Sequence, residues 1–171
     1  MKHIEIVILM GSASDWKYLE GAVAILGELD ISFRVHVSSA HRTPERTVEL
    51  VRRYEGQGCR AFICAAGMAA HLAGVVAAHT VRPVLGVPLP GGVMDGMDAL
   101  LATVQMPAGI PVATFAVGSA GARNAAFFAA QLIADQRSDV AEGLLGRRRA
   151  DAQRIEAAER EVVAAIEGGK V

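Results

Sequence analysis

The stretch IEIVILM, residues 4–10, decides the fold. Apart from Glu5 it is apolar from end to end, it has the length of a strand, and Gly11-Ser12 ends it. A strand with one face in water alternates apolar and polar residues. One that is apolar throughout is covered on both faces, as in a parallel sheet. The chain downstream repeats this pattern. Asp15 or Ser14 can cap a helix whose apolar positions Leu19, Val23 and Leu26 recur at helical spacing. A second strand is expected over about Ser32–Val37. Thr43 then reads as an N-cap with Pro44 at the first helical position, and that helix runs to about Gly56-Gln57-Gly58.

A third strand, Ala61–Ala65, leads into the small-residue loop AGMAAHLAG (66–74) and a short helix to about Ala78. The fourth strand falls near Pro83–Val87 and ends in PLPGG, and a further helix is expected over Asp95–Thr103. GIPVATFAV (109–117) reads as a fifth strand, and SAGARNAAFFAAQLIAD (119–135) as a helix apolar on most sides and therefore deeply buried. Such β-α alternation with short connections predicts an α/β fold built on a doubly wound parallel sheet. From about Asp139 the chain turns charged, with one apolar stripe at Ile155, Ala158, Val162 and Ile166. That extended C-terminal helix, about 139–167, is expected to pack on a neighbouring subunit. With no linker, low-complexity segment or repeat, residues 1–171 form a single domain.

With 171 residues the chain can bury one good core, and its net charge of −1 gives no reason to expect a nucleic acid or a lipid surface as partner. The run Arg147-Arg148-Arg149 is read as a solvated helix face. No cleavable leader and no apolar run of about 20 residues is expected, so no membrane span. Cys59 and Cys64 lack metal-ligand or C-x-x-C spacing, and Cys64 reads as a small core residue. A cytoplasmic location fits.

Ligands of doubly wound sheets bind outside the carboxyl ends of the strands. That rule gathers Gly11–Asp15, Ser38–Arg42 and Ala66–Gly74 onto one rim. GSASD (11–15) offers free N–H groups at a helix start for an anion and a carboxylate for ribose hydroxyls, although the same residues serve plain capping. It is neither a Walker A sequence nor G-x-G-x-x-G. Arg42 can pair with a phosphate through its planar fork, and His41 can move a proton at neutral pH. His71 has two readings, a site residue or a capping one. Around it Gly67, Ala69 and Ala70 would let the backbone approach a flat ligand. His3, His36 and His79 read as structural, and no histidine spacing suits a metal.

GSASDW (11–16), SAHRTP (39–44), AAHLAG (69–74), QMPAGIPVAT (105–114) and NAAFFAAQLIA (124–134) resemble, in order and spacing, the N5-carboxyaminoimidazole ribonucleotide mutase family of purine biosynthesis. The resemblance covers about residues 4–135. It implies a flavodoxin-like three-layer α/β/α sandwich and a cytoplasmic homo-octamer with active sites shared between subunits. It also implies an isomerase that moves a carboxyl group from the exocyclic nitrogen of a ribonucleotide to carbon 4 of its imidazole, with no metal or other cofactor. By the same resemblance His41 is catalytic. Ser12, Asp15 and Arg42 hold phosphate and ribose, Ser14 and Ser39 flank them, and Gly67, Met68, Ala70 and His71 belong to the loop over the imidazole. The loop of the family reads G-G-A-A-H-L-P-G, so Met68 stands in place of a glycine and Ala73 in place of the proline. PLPGGVMDG (88–96) also departs from the common form.

Two other functions are open to the same fold. A carboxylase acting on aminoimidazole ribonucleotide and free CO2 carries a different 66–74 loop, and AAHLAG sides with the mutase. A flavodoxin-like nucleotide- or flavin-binding module without turnover is disfavoured for flavin by the 5% aromatic content, which leaves few stacking partners for a flavin ring.

Overall fold

The computed structural model describes residues 4–168; His3 lies outside them. Five strands form one sheet: β1 (Ile6–Met10), β2 (Phe33–Val37), β3 (Ala61–Gly67), β4 (Val84–Leu89) and β5 (Ala113–Thr114). Their order is β2-β1-β3-β4-β5 and every pairing is parallel. β1 opposes Phe33–Val37 on one side and Ala61–Ala65 on the other. The chain therefore reverses direction across β1, and the crevice between β1 and β3 is the switch point at which such sheets bind ligands.

Both faces of the central strands are covered, which is why IEIVILM does not alternate. Ile6 and Ile8 pack with Leu19, Ile25 and Leu26 of α1 (Trp16–Glu28). Val7 and Leu9, pointing the other way, pack with Leu50, Val51 and Tyr54 of α2 (Pro44–Gly56) and with Leu72 and Val76 of α3 (Leu72–Ala77). The first face also receives α5 (Ser119–Ala134), whose buried Ala122, Ala125, Ala126, Ala129 and Ala130 let its backbone lie close to sheet and helix. The result is the three-layer α/β/α flavodoxin-like sandwich. Cys59 and Cys64 are both buried among apolar neighbours. Burial pushes the Cys59 thiol up to about 12 and the Cys64 thiol up as well, so both stay protonated core residues at neutral pH.

The expected fifth strand, 109–117, shrinks to Ala113–Thr114. Gly109 turns with φ +96°, Pro111 has no N–H to give, and only Leu85 and Gly86 remain opposite. The chain still follows β4 through the bonds Phe115 N–H to Gly86 O and Gly118 N–H to Pro88 O. β4 runs two residues further than expected, and α4 (Met97–Val104) begins after Gly96, at φ +94°, rather than at Asp95.

The charged tail is one helix, α6 (Ser138–Glu167). Its first turns are tied to the body. Val140 is buried, Arg137 meets Glu5 at 3.2 Å, and Arg147 pairs with Glu28. Arg147 also stacks over the Phe127 ring, so one of the three consecutive arginines does more than face water. Farther along, Ile155, Val162, Val163 and Ile166 are exposed on this chain. Among the described residues no helix is long and apolar enough to cross a membrane.

Candidate functional site

The carboxyl ends of β1 to β4 surround a cavity of about 640 Å³. Ser12, Ser14 and Asp15 line it from the loop after β1, and Ser39, His41 and Arg42 from the loop after β2. Gly67 and Met68 line it from the loop after β3. Eight of the expected site residues are thereby brought together. Ala70 is buried and does not line the cavity, and His71 reaches it through His41.

Each loop is shaped by local hydrogen bonds. After β1, Ser12 caps the 3-10 turn Ala13–Asp15: its hydroxyl oxygen accepts from the Ser14 N–H (3.3 Å) and from the Ser14 hydroxyl (2.9 Å). Asp15 Oδ2 in return accepts the Ser12 N–H at 2.9 Å. The cap is thus reciprocal and precedes α1, whereas the sequence suggested that Ser14 or Asp15 would cap α1 directly. Partial burial raises the Asp15 carboxyl above the usual aspartate range. The Ser12 N–H, the Ser14 hydroxyl and the nearby Lys17 charge oppose that shift.

After β2, Ser38 is buried and its hydroxyl meets Thr47 Oγ1 of α2 at 2.8 Å, which anchors the start of the loop to the helix below. Thr43 occupies the N-cap position of α2, but its hydroxyl does not cap. It accepts the Ser39 N–H (3.0 Å) and donates to the Ser39 carbonyl (3.1 Å). Ser39 Oγ accepts the Arg42 N–H at 3.2 Å. The five-residue turn closes on itself and thrusts His41 and Arg42 outward. Among the described residues the Arg42 guanidinium takes part in no ion pair, so its fork is free for an anion.

His41 Nε2 lies 2.8 Å from His71 Nδ1, with the rings edge to face. One nitrogen donates and the other accepts, so this bond fixes complementary tautomers on the two rings. His71 sits at the N-cap position of α3 without capping it. Its ring bonds to His41 rather than to the helix start. His36 Nε2 meets the Tyr54 hydroxyl at 2.8 Å, and burial followed by the charges of Arg46, Arg53 and Arg34 lowers its pKa, in keeping with a structural role.

A fourth wall went unrecognised in the sequence. Leu89, Pro90, Gly91 and Gly92, at the end of β4, also line the cavity. The strand-end rule that picked out the other three loops applies equally to PLPGG.

Comparison with known proteins identifies the family. The model of the AIR carboxylase family matches residues 5–154, most of the chain. The N5-carboxyaminoimidazole ribonucleotide mutase of Haemophilus influenzae is 47% identical over 133 residues, which are 78% of this chain and 81% of that protein. The mutase of Escherichia coli K12 is 43% identical over 150 residues, 88% of this chain and 89% of its own. Among solved structures, PurE of Treponema denticola superimposes with a TM-score of 0.83 at 27% identity, covering 91% of this chain and 96% of that one.

Proposed function

The chain belongs to the AIR carboxylase family, and from that premise we propose that it is an N5-carboxyaminoimidazole ribonucleotide mutase, an isomerase of purine biosynthesis. The observation that carries the reading is the convergence of His41, Arg42 and Asp15 on one cavity at the switch point of the sheet. Arg42 pairs with the substrate phosphate, assisted by the hydroxyls of Ser12, Ser14 and Ser39. The Asp15 carboxylate accepts hydrogen bonds from the ribose. The aminoimidazole then lies toward His41, under the loop that holds Gly67, Met68, Ala70 and His71.

The chemistry requires little more than a proton carrier and a closed space. A carbamate breaks its N–C bond once the nitrogen is protonated, giving CO2 and an electron-rich aminoimidazole. Carbon 4 of that ring attacks the CO2, a C–C bond forms, and the carbon 4 proton leaves to restore aromaticity. His41 gives the first proton and collects the last, because the two transfers are separated in time. The bond to His71 orients the ring for both. No step calls for a metal, a nucleotide or biotin.

His41 and Arg42 are exposed on the single chain, so closure needs a further surface. The bare apolar residues of α6 and the exposed Val93, Met94 and Met97, which follow Gly92 in the chain, supply one reason for a homo-oligomer. We read it as an octamer of single-domain subunits that share active sites, working in the cytoplasm. Turnover of the carbamate, set against turnover of aminoimidazole ribonucleotide with bicarbonate, tests the reading. Efficient conversion is expected only from the carbamate; the reverse preference would make the chain a carboxylase, and inactivity with both would make it a binding module.

A further inference from the structure

A second cavity lies at the opposite end of the sheet from the first. It measures about 910 Å³, and its walls come from the carboxyl ends of α2 and α3, the turn 79–82 and the segment 109–113. β4 connects the two cavities. Val84, its first residue, lines this one, and Leu89, its last, lines the other, roughly 17 Å away at the rise of a strand. None of the residues assigned above to the substrate lines the second cavity.

Its charged groups are mostly cationic and unpaired. Arg52, on α2, and Arg82, just before β4, both line it and belong to no ion pair among the described residues. The Nε of Arg82 is buried and has no hydrogen-bond partner, the only such side-chain nitrogen or oxygen among the described residues. The carboxyl end of α3 attracts a cation, yet no carbonyl there accepts from this Nε. Thr80 Oγ1 accepts the Arg82 N–H at 3.0 Å, and among the described residues nothing accepts the Thr80 hydroxyl proton, which is left to donate. The one carboxylate on the wall, Glu55, accepts the Val81 N–H at 3.4 Å. Val81, Pro83, Ile110 and Pro111 make up an apolar side.

A buried N–H without an acceptor carries a cost that an apolar side chain in its place would not. We propose that this cavity is a second ligand site, for a small phosphate monoester that carries an apolar body. Two guanidinium groups against one carboxylate leave a surplus of positive charge, which suits a group bearing nearly two negative charges at neutral pH. The phosphate takes the Nε–H and Nη–H edge of Arg82 together, with Arg52 and the Thr80 hydroxyl on its remaining oxygens. Val81, at 95% exposure, and the two prolines offer the apolar body a surface. The proposal is independent of the mutase reading, in which the substrate phosphate belongs to Arg42 at the other end of the sheet.

Equilibrium dialysis of the full chain against labelled adenosine 5′-monophosphate tests it. Arg42→Ala is the parent protein, so that the phosphate position of the first cavity is weakened. The parent should bind the nucleotide saturably, and adding Arg82→Leu should weaken that binding about tenfold or more, as loss of a bidentate charged contact does. Arg82→Lys should fall between, because it keeps the charge without the fork. Arg52→Ala, an exposed change that leaves the buried nitrogen alone, should weaken binding as well. Adenosine, which lacks the phosphate, and inorganic phosphate, which lacks the body, should each bind about tenfold more weakly than the nucleotide. Without ligand, Arg82→Leu should melt no lower than its parent, since the unsatisfied donor leaves with the guanidinium. The proposal is overturned by equal affinity in Arg82→Leu and its parent, by a parent that shows no saturable binding, or by adenosine or phosphate binding as tightly as the nucleotide. An Arg82→Leu protein that melts well below its parent also overturns it, by making the arginine a structural residue. None of these results bears on carbamate turnover, which tests the mutase reading separately.

Discussion

The hydroxyl pair Ser38–Thr47 joins the core to the loop that carries His41, and its removal has calculable consequences. Both side chains are buried, at 1% and 0% exposure, and their oxygens lie 2.8 Å apart. Thr47 also donates to the Thr43 carbonyl at 3.2 Å, so the proton order runs from Ser38 to Thr47 to Thr43. Thr47→Val keeps the shape of the side chain but strands the Ser38 hydroxyl without an acceptor. The cost of such an orphan is about 1–3 kcal/mol. Ser38→Ala loses one net hydrogen bond and strands nothing, because Thr47 keeps its carbonyl acceptor; the cost is about 0.5–1.5 kcal/mol. In the double variant the orphan is gone, so the two costs fall short of adding, with a coupling of about 1 kcal/mol. Urea unfolding of the four proteins measures this directly. Steady-state rates on the same set should show kcat reduced in both single variants, since the bond fixes where the His41 loop departs from β2. Strict additivity, or a Thr47→Val protein as stable as wild type, would refute the claim that this bond anchors the loop.

The other predictions concern binding, pH and packing. Arg42→Ala should weaken product binding by about 1.5–3 kcal/mol, roughly 10- to 150-fold, in titration calorimetry, as expected for one lost charge-assisted contact. Unchanged affinity would remove Arg42 from the phosphate site. Binding should also fail on the acid side as pH drops through the Asp15 pKa, which burial holds above the ordinary aspartate range; Asp15→Asn should abolish that acid limb. The same shift has a sign for stability. A raised folded-state pKa means that ionised Asp15 opposes folding at neutral pH, so Asp15→Asn should gain stability there and lose the gain below the ordinary aspartate range. Gly121→Ala would set a Cβ 1.6 Å from the Ala116 carbonyl oxygen, and a thermal melt should show a loss of about 3 kcal/mol or more.

The central strands β1, β3 and β4 were legible because two-sided burial leaves its mark as apolar runs, whereas β2 at the sheet edge, FRVHV, alternates and is only partly buried. IEIVILM alone distinguished a parallel sheet from an antiparallel one. β5 was misread in length because GIPVATFAV is as apolar as a strand, yet Pro111 and the Gly109 turn limit its pairing to two residues. Local bonding is poorly encoded. Ser, Thr and Asp can all cap, and nothing in GSASD says that Ser12 and Asp15 would choose each other. The three cavity loops were recoverable from strand ends plus polar residues. The fourth was missed because PLPGG carries no functional side chain and contributes only shape. The bond between His41 and His71, residues 30 positions apart, exists only once β2 and β3 are set on either side of β1.

Replacement of His41 by asparagine, assayed with the carbamate substrate beside product affinity, is the most direct test of the account. Asparagine keeps hydrogen-bonding capacity without a titratable proton, so affinity should stay within a few-fold while kcat falls about 10²- to 10⁴-fold. A variant that binds normally and turns over at close to the wild-type rate would show that the proton travels by some other group.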